Sequence, residues 1–222
     1  MLNQMQKKVL LFPAWVDKLA RIAAVLVVGG LVYTVVLVAY ATSPATTSTG
    51  YQPKQPVPYS HALHAGKLGL DCRYCHIGVE RGAFAVIPPT EVCMNCHTRI
   101  FATSDKLAPV RESFATGLPV EWVRVHDLPD FVYFNHSAHV TRGIGCVTCH
   151  GRIDKMEEVY QFAPLNMGWC LECHRTPEKF LRPKEFVTKM DWMPDGNQLE
   201  QGRRLKEEYG INPSTDCYTC HR

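Results

Sequence analysis

The sequence has no cysteine to spare: all ten lie inside a Cys-x-x-Cys-His pentapeptide that occurs five times. No cysteine closely follows the apolar stretch near the N-terminus, which excludes a lipid-modified N-terminal cysteine. No charge separates Arg21 from Lys54. No run of basic residues interleaved with aromatics is present, so nothing points to nucleic acid. A Cys-x-x-Cys-Lys variant is also missing.

The five pentapeptides are Cys72, Cys75, His76; Cys93, Cys96, His97; Cys146, Cys149, His150; Cys170, Cys173, His174; and Cys217, Cys220, His221, numbered I to V below. This is the signature of c-type haem attachment. Two thiols a turn apart each form a thioether to one haem edge, and the adjoining imidazole reaches the iron as proximal ligand. Zinc knuckles also use Cys and His, but they combine two Cys-x-x-Cys units per four-ligand site, and five units do not pair off. With histidine at 10 of 222 residues, its chance occurrence after all five units is about 2 in ten million. A thioredoxin-like redox motif would occur once, beside a strand-helix-strand pattern. The expected cofactors are therefore five haem c.

A length of 222 residues suits one domain or two small ones. Roughly one haem per 36 residues would follow the apolar stretch, so porphyrins would supply much of the buried apolar surface. The expected fold is mainly α with little regular secondary structure, a multihaem cytochrome c of c3/c7-like dihaem modules with one N-terminal transmembrane helix. The formal charge of +3 belongs to the polypeptide alone. Propionates and ferric irons would bring it to about −2 oxidised and about −7 reduced.

Residues 22–41, IAAVLVVGGLVYTVVLVAYA, are 20 uncharged residues, enough for a helix to cross about 30 Å of hydrocarbon. Lys7, Lys8, Lys18 and Arg21 precede them against Asp17 alone. The positive-inside bias puts segment 1–21 in the cytoplasm and the haem region in the periplasm of a single-pass protein of the bacterial inner membrane. Trp15 and Tyr40 fall near the two interfaces. Ala39 and Ala41 resemble a signal-peptidase site, but the apolar run exceeds the usual 7–15-residue signal core, which favours an uncleaved anchor.

Residues 42–58 are rich in Thr, Ser and Pro and read as a linker to a haem domain over 59–222. Within it Tyr59-Ser60-His61-Ala62-Leu63-His64 precedes motifs I and II, and Phe134-Asn135-His136-Ser137-Ala138-His139 precedes motifs III and IV. The recurrence marks two dihaem repeats, about 59–100 and 134–175, with motif V outside them. Residues 123–131 alternate like a short strand or extended segment ending at Pro129. Residues 197–209 suit a helix with Leu199, Leu205 and Tyr209 available for burial and Gly210 as its cap.

Five histidines lie outside the motifs: His61, His64, His126, His136 and His139, one for each iron. Bis-histidine ligation of all five would leave no open coordination site. Residues three apart on a helix share a face, so the imidazoles of a His-x-x-His pair serve two neighbouring haems rather than two sides of one. Tyr59 and Phe134, just ahead of the pairs, are placed to pack on a porphyrin. His126 has no repeat equivalent. Its rival for the remaining iron is Met167, whose thioether would raise that haem's potential, ahead of Met190 and Met193.

The anchor, the two His-x-x-His repeats, VEWVRVHDLPDFVYFNHSAH, MGWCLECHR and the terminal DCYTCHR together resemble the pentahaem cytochrome c component of bacterial alternative complex III. The resemblance implies an electron-transfer subunit without a catalytic residue, carrying electrons from a quinol-oxidising membrane complex. Its implied partners are the polytopic quinol-binding, iron-sulfur and monohaem cytochrome c subunits of the same complex, with soluble cytochrome c or a terminal oxidase as acceptor.

Two other classes compete. Membrane-anchored quinol dehydrogenases of the NapC and NrfH type are marked by Cys-x-x-Cys-His-x-Met, whereas Gly78, Arg99, Arg152 and Thr176 occupy that last position here. A multihaem reductase would require an open iron, which arises only if both His126 and Met167 fail as ligands.

Overall fold

The computed structural model describes residues 12–43, 46 and 48–222; Lys7 and Lys8 of the basic flank, and Pro44, Ala45 and Thr47 of the linker, lie outside the described residues. The chain divides into two units, Met1–Thr46 and Thr47–Arg222.

The first unit is built on helix α1 (Ala14–Ala41). It starts directly after Pro13, whose fixed φ suits a helix entrance. The helix thus begins ahead of the uncharged run, because Asp17, Lys18 and Arg21 are compatible with helix even though they end the apolar stretch. Asp17 in the first turn also complements the positive end of the helix dipole. Twenty-eight residues make a rod of about 42 Å. Its side chains face outward, with Val25, Val27 and Leu31 all exposed. The Thr34 hydroxyl donates to the Gly30 carbonyl at 2.8 Å, so this polar group is satisfied inside the helix. The helix is long and apolar enough to cross a bilayer.

The second unit is a chain of short helices: a π-helix (Ala62–Lys67), α2 (Cys72–Cys75), α3 (Thr90–His97), α4 (Ala108–Thr116), α5 (His136–Val140), α6 (Cys146–His150), α7 (Met167–Arg175), α8 (Gln198–Glu208) and α9 (Cys217–Cys220). The pentapeptides lie on α2, α3, α6, α7 and α9, or run one residue past their ends. Side-chain caps fix several of the starts: Asp71 accepts from the Arg73 amide, Asn135 from Ala138 and Asn166 from Trp169. Among the described residues there is no strand, only an isolated antiparallel bridge between Ile144 and Leu181.

The expected extended stretch at 123–131 forms no strand. Gln55 pairs with it through its side chain instead, donating from Nε2 to the Val123 carbonyl at 2.9 Å and accepting from the Val123 amide at 3.0 Å. An amide side chain therefore replaces the neighbouring strand that the alternation suggested.

Leu181, Leu205 and Ile211 form the main side-chain core, with Ile144 and Tyr209 packed against it. Helix α8 lies across the turn Pro177–Lys179, and Gly202 makes the approach possible because a Cβ there would run into the Glu178 carbonyl. Asn197 caps the helix by accepting from the amides of Leu199 and Glu200, and Gly210 follows with φ 60°. Leu205 is buried as expected, but Leu199 is not. The inward position of that first turn belongs to Gln198, whose Nε2 donates to the Leu181 carbonyl at 2.8 Å. This core is small, and large apolar side chains around the motifs, among them Leu68, Phe84, Phe101 and Phe131, remain exposed.

Candidate haem sites

Histidine tautomers decide what these imidazoles can bind, and the backbone sets most of them. A carbonyl oxygen only accepts, so a ring nitrogen bonded to one carries the proton and leaves the other nitrogen free for a metal. Nδ1 donates to the carbonyl of Ser60 from His64 (2.9 Å), of Val86 from His76 (2.9 Å) and of Ile100 from His97 (2.8 Å). It donates likewise to Ala83 from His136 (2.8 Å), to Asn135 from His139 (2.8 Å), to Ser214 from His174 (2.7 Å) and to Phe131 from His221 (3.2 Å). Seven imidazoles thus keep a free Nε2. Backbone carbonyls have no residue-type signature, so no sequence pattern points to them.

Three ring pairs then face one another. His64 and His97 stand 6.2 Å apart between centroids, His139 and His174 6.1 Å, and His136 and His150 6.5 Å. An imidazole nitrogen lies about 2.0 Å from a transition metal and about 1.1 Å from its own ring centre, so imidazoles on opposite sides of one metal stand about 6.2 Å apart. The donor set and its spacing therefore fit a haem iron between each pair. Burial first and the nearby His76 second lower the pKa of His61 to about 4.

The repeats coincide in detail. Tyr59 meets His61 edge-on at 4.8 Å and stacks on His64 at 4.4 Å. Phe134 meets His136 edge-on at 4.8 Å and stacks on His139 at 4.6 Å. Each aromatic thus packs on the imidazoles of its own pair.

His126 sits apart from this pattern. Its ring makes an edge contact with His150 at 4.5 Å, too close for opposite sides of one iron, and its buried Nε2 has no hydrogen-bond partner. Burial, followed by the proximity of His126 and His136, pushes the His150 pKa down to about 3. Met167 opens α7 and is exposed, as is Met193.

No disulfide joins any of the ten cysteines, and among the described residues no three His, Cys, Asp or Glu side chains converge. Residues 132–222, which hold motifs III to V, match the family described as cytochrome c7 and related cytochrome c. This part of the chain is c7-like multihaem cytochrome. The chain is 29% identical over 178 residues to the menaquinone reductase multiheme cytochrome c subunit of Nitratidesulfovibrio vulgaris, covering 77% of this chain and 78% of the relative. Haem c is accordingly the cofactor of the cytochrome domain, and electron transfer its chemistry.

Proposed function

We propose that this protein is the membrane-anchored pentahaem electron-transfer subunit of a quinone-linked respiratory complex. The observation that carries the reading is the set of three imidazole pairs at 6.1 to 6.5 Å, with Nδ1 tied to a carbonyl in five of the six rings. Haem c supplies one-electron exchange at its iron. The polypeptide would bind each group through the two thioethers of its motif and its iron through His76, His97, His150, His174 or His221. His61 would be the second iron ligand at site I, His64 at site II, His136 at site III and His139 at site IV. For site V the place of His126 beside His150 favours Met167, whose helix begins one turn before Cys170. Saturated irons would leave no open position for a substrate, so the chain itself has no catalytic residue and carries electrons only.

Helix α1 is the anchor. Trp15 and Tyr40, both exposed, lie about 38 Å apart along it, one at each edge of a bilayer. The N-terminus is cytoplasmic and the cytochrome domain periplasmic. The resemblance to alternative complex III supports electron flow outward, from quinol-oxidising polytopic and iron-sulfur subunits to a monohaem or soluble cytochrome c. The likeness to a menaquinone reductase subunit favours a second direction, from periplasmic donors inward to quinone.

Pyridine haemochrome analysis with intact mass should give five haems per chain, and fewer would overturn the reading. In the purified complex, quinol-driven reduction of the haems, followed by oxidation with cytochrome c, supports outward flow. Haem reduction by a periplasmic donor followed by quinone reduction supports the inward direction.

A further inference from the structure

We propose that the two repeats meet through their first motifs, so that the haem sites run II–I–III–IV–V through the domain rather than in chain order. This rests on the five-haem reading above and adds a route to it.

Four junctions define the order. Sites I and II share the turn that carries His61 and His64, and Asn95 of motif II donates from Nδ2 to the Tyr74 hydroxyl of motif I at 3.1 Å. Sites III and IV share the turn that carries His136 and His139, which face His150 and His174. Site V hangs on site IV: His174 Nδ1 donates to the Ser214 carbonyl at 2.7 Å. The Ser214 hydroxyl in turn accepts from the Asp216 amide at 3.1 Å and from Thr219 at 2.9 Å, at the start and inside of motif V.

The fourth junction departs from chain order. Val187 and Thr188 are consecutive: the Cys146 amide of motif III donates to the Val187 carbonyl at 2.9 Å, and the Thr188 hydroxyl donates to Asp71 Oδ2 at 3.0 Å, on the residue that caps motif I. The ligand turn of the second repeat also rests on the loop after motif I. The amides of His136 and Ser137 donate to the carbonyls of Ala83 and Gly82, both at 3.1 Å, and His136 Nδ1 donates to Ala83 as well.

In this order site I is a relay with two neighbours and site II an end with one. Chain order would reverse those roles. The test is a potential perturbation in the full-length holo-protein, with each low-spin signal followed by EPR redox titration. His64→Met raises the potential of site II, and His61→Met that of site I. An already reduced neighbour makes a haem harder to reduce. One other haem should therefore shift downward in H64M and two in H61M. Two in H64M and one in H61M would overturn the route. Failure of the five-haem reading shows separately, as a haem count other than five in the unmodified protein. If either variant loses haem, proton NMR of the unmodified protein decides: cross-peaks between haem substituents of sites I and III support the route, and cross-peaks between II and III overturn it.

Discussion

His64 and His97 face each other at 6.2 Å between ring centroids, each with Nδ1 committed to a backbone carbonyl and Nε2 free. His64→Ala removes the distal partner and leaves both thioethers and His97 in place. One haem in five should turn high-spin in the ferric state and bind carbon monoxide when reduced, with the mass of the holo-protein changed only by the substitution. An unchanged low-spin spectrum would mean that another side chain holds that iron.

Tyr59 touches both imidazoles of its pair, one by its edge and one by its face, and Phe134 reproduces the contacts within 0.2 Å. A flat ring wedged between two ligands restrains their rotation about the iron–nitrogen bond. Tyr59→Ala should shift the EPR g-values of sites I and II while leaving III and IV unmoved, and Phe134→Ala should do the converse. Tyr59→Phe should restore the parent spectrum, because Phe134 performs the same role without a hydroxyl. A merely structural role would instead broaden all five signals together.

The five pentapeptides and the two His-x-x-His segments are legible because they are written in residue types at fixed spacing. The mainly helical, c7-like character follows from the same motifs, since each pentapeptide needs little more than one helical turn. What fixes the imidazoles was not legible: Ser60, Ala83, Ile100 and Ser214 act through carbonyls that every residue has. The position of Leu199 was misjudged because periodicity ranks apolar residues and ignores an amide such as Gln198 reaching a buried carbonyl. The alternation at 123–131 was likewise real but answered by one glutamine rather than a strand.

Asp71 caps the helix of motif I and pairs with Arg73 at 2.8 Å. Hydrogen bonding to Arg73, above all else, pulls its pKa down to about 2. A folded pKa below the unfolded value means that the carboxylate stabilises the fold at pH values above about 4 and that this contribution is lost as pH falls toward 2. The pair is partly exposed, so the contribution is on the order of 1 kcal/mol after screening. Asp71→Asn keeps a capping oxygen and loses the charge. Its thermal midpoint should fall below that of the parent at pH 6 and converge with it near pH 2, whereas a deficit independent of pH would mean that packing, not charge, had been lost.

Site V separates the two remaining ligand candidates. His126 makes an edge contact with His150 at 4.5 Å, within the group of imidazoles around sites I and III, and Met167 starts the helix that carries motif IV, next in space to motif V. A thioether on one iron raises its potential above the bis-histidine sites and adds a near-infrared sulfur-to-iron band in the ferric state. Met167→Leu should abolish that band, lower the highest potential of the five and let one haem take up carbon monoxide. His126→Ala should leave the band and the ligand state of all five irons intact. If His126→Ala opens an iron and Met167→Leu does not, the fifth iron is bis-histidine and the imidazole beside His150 turns outward to reach it.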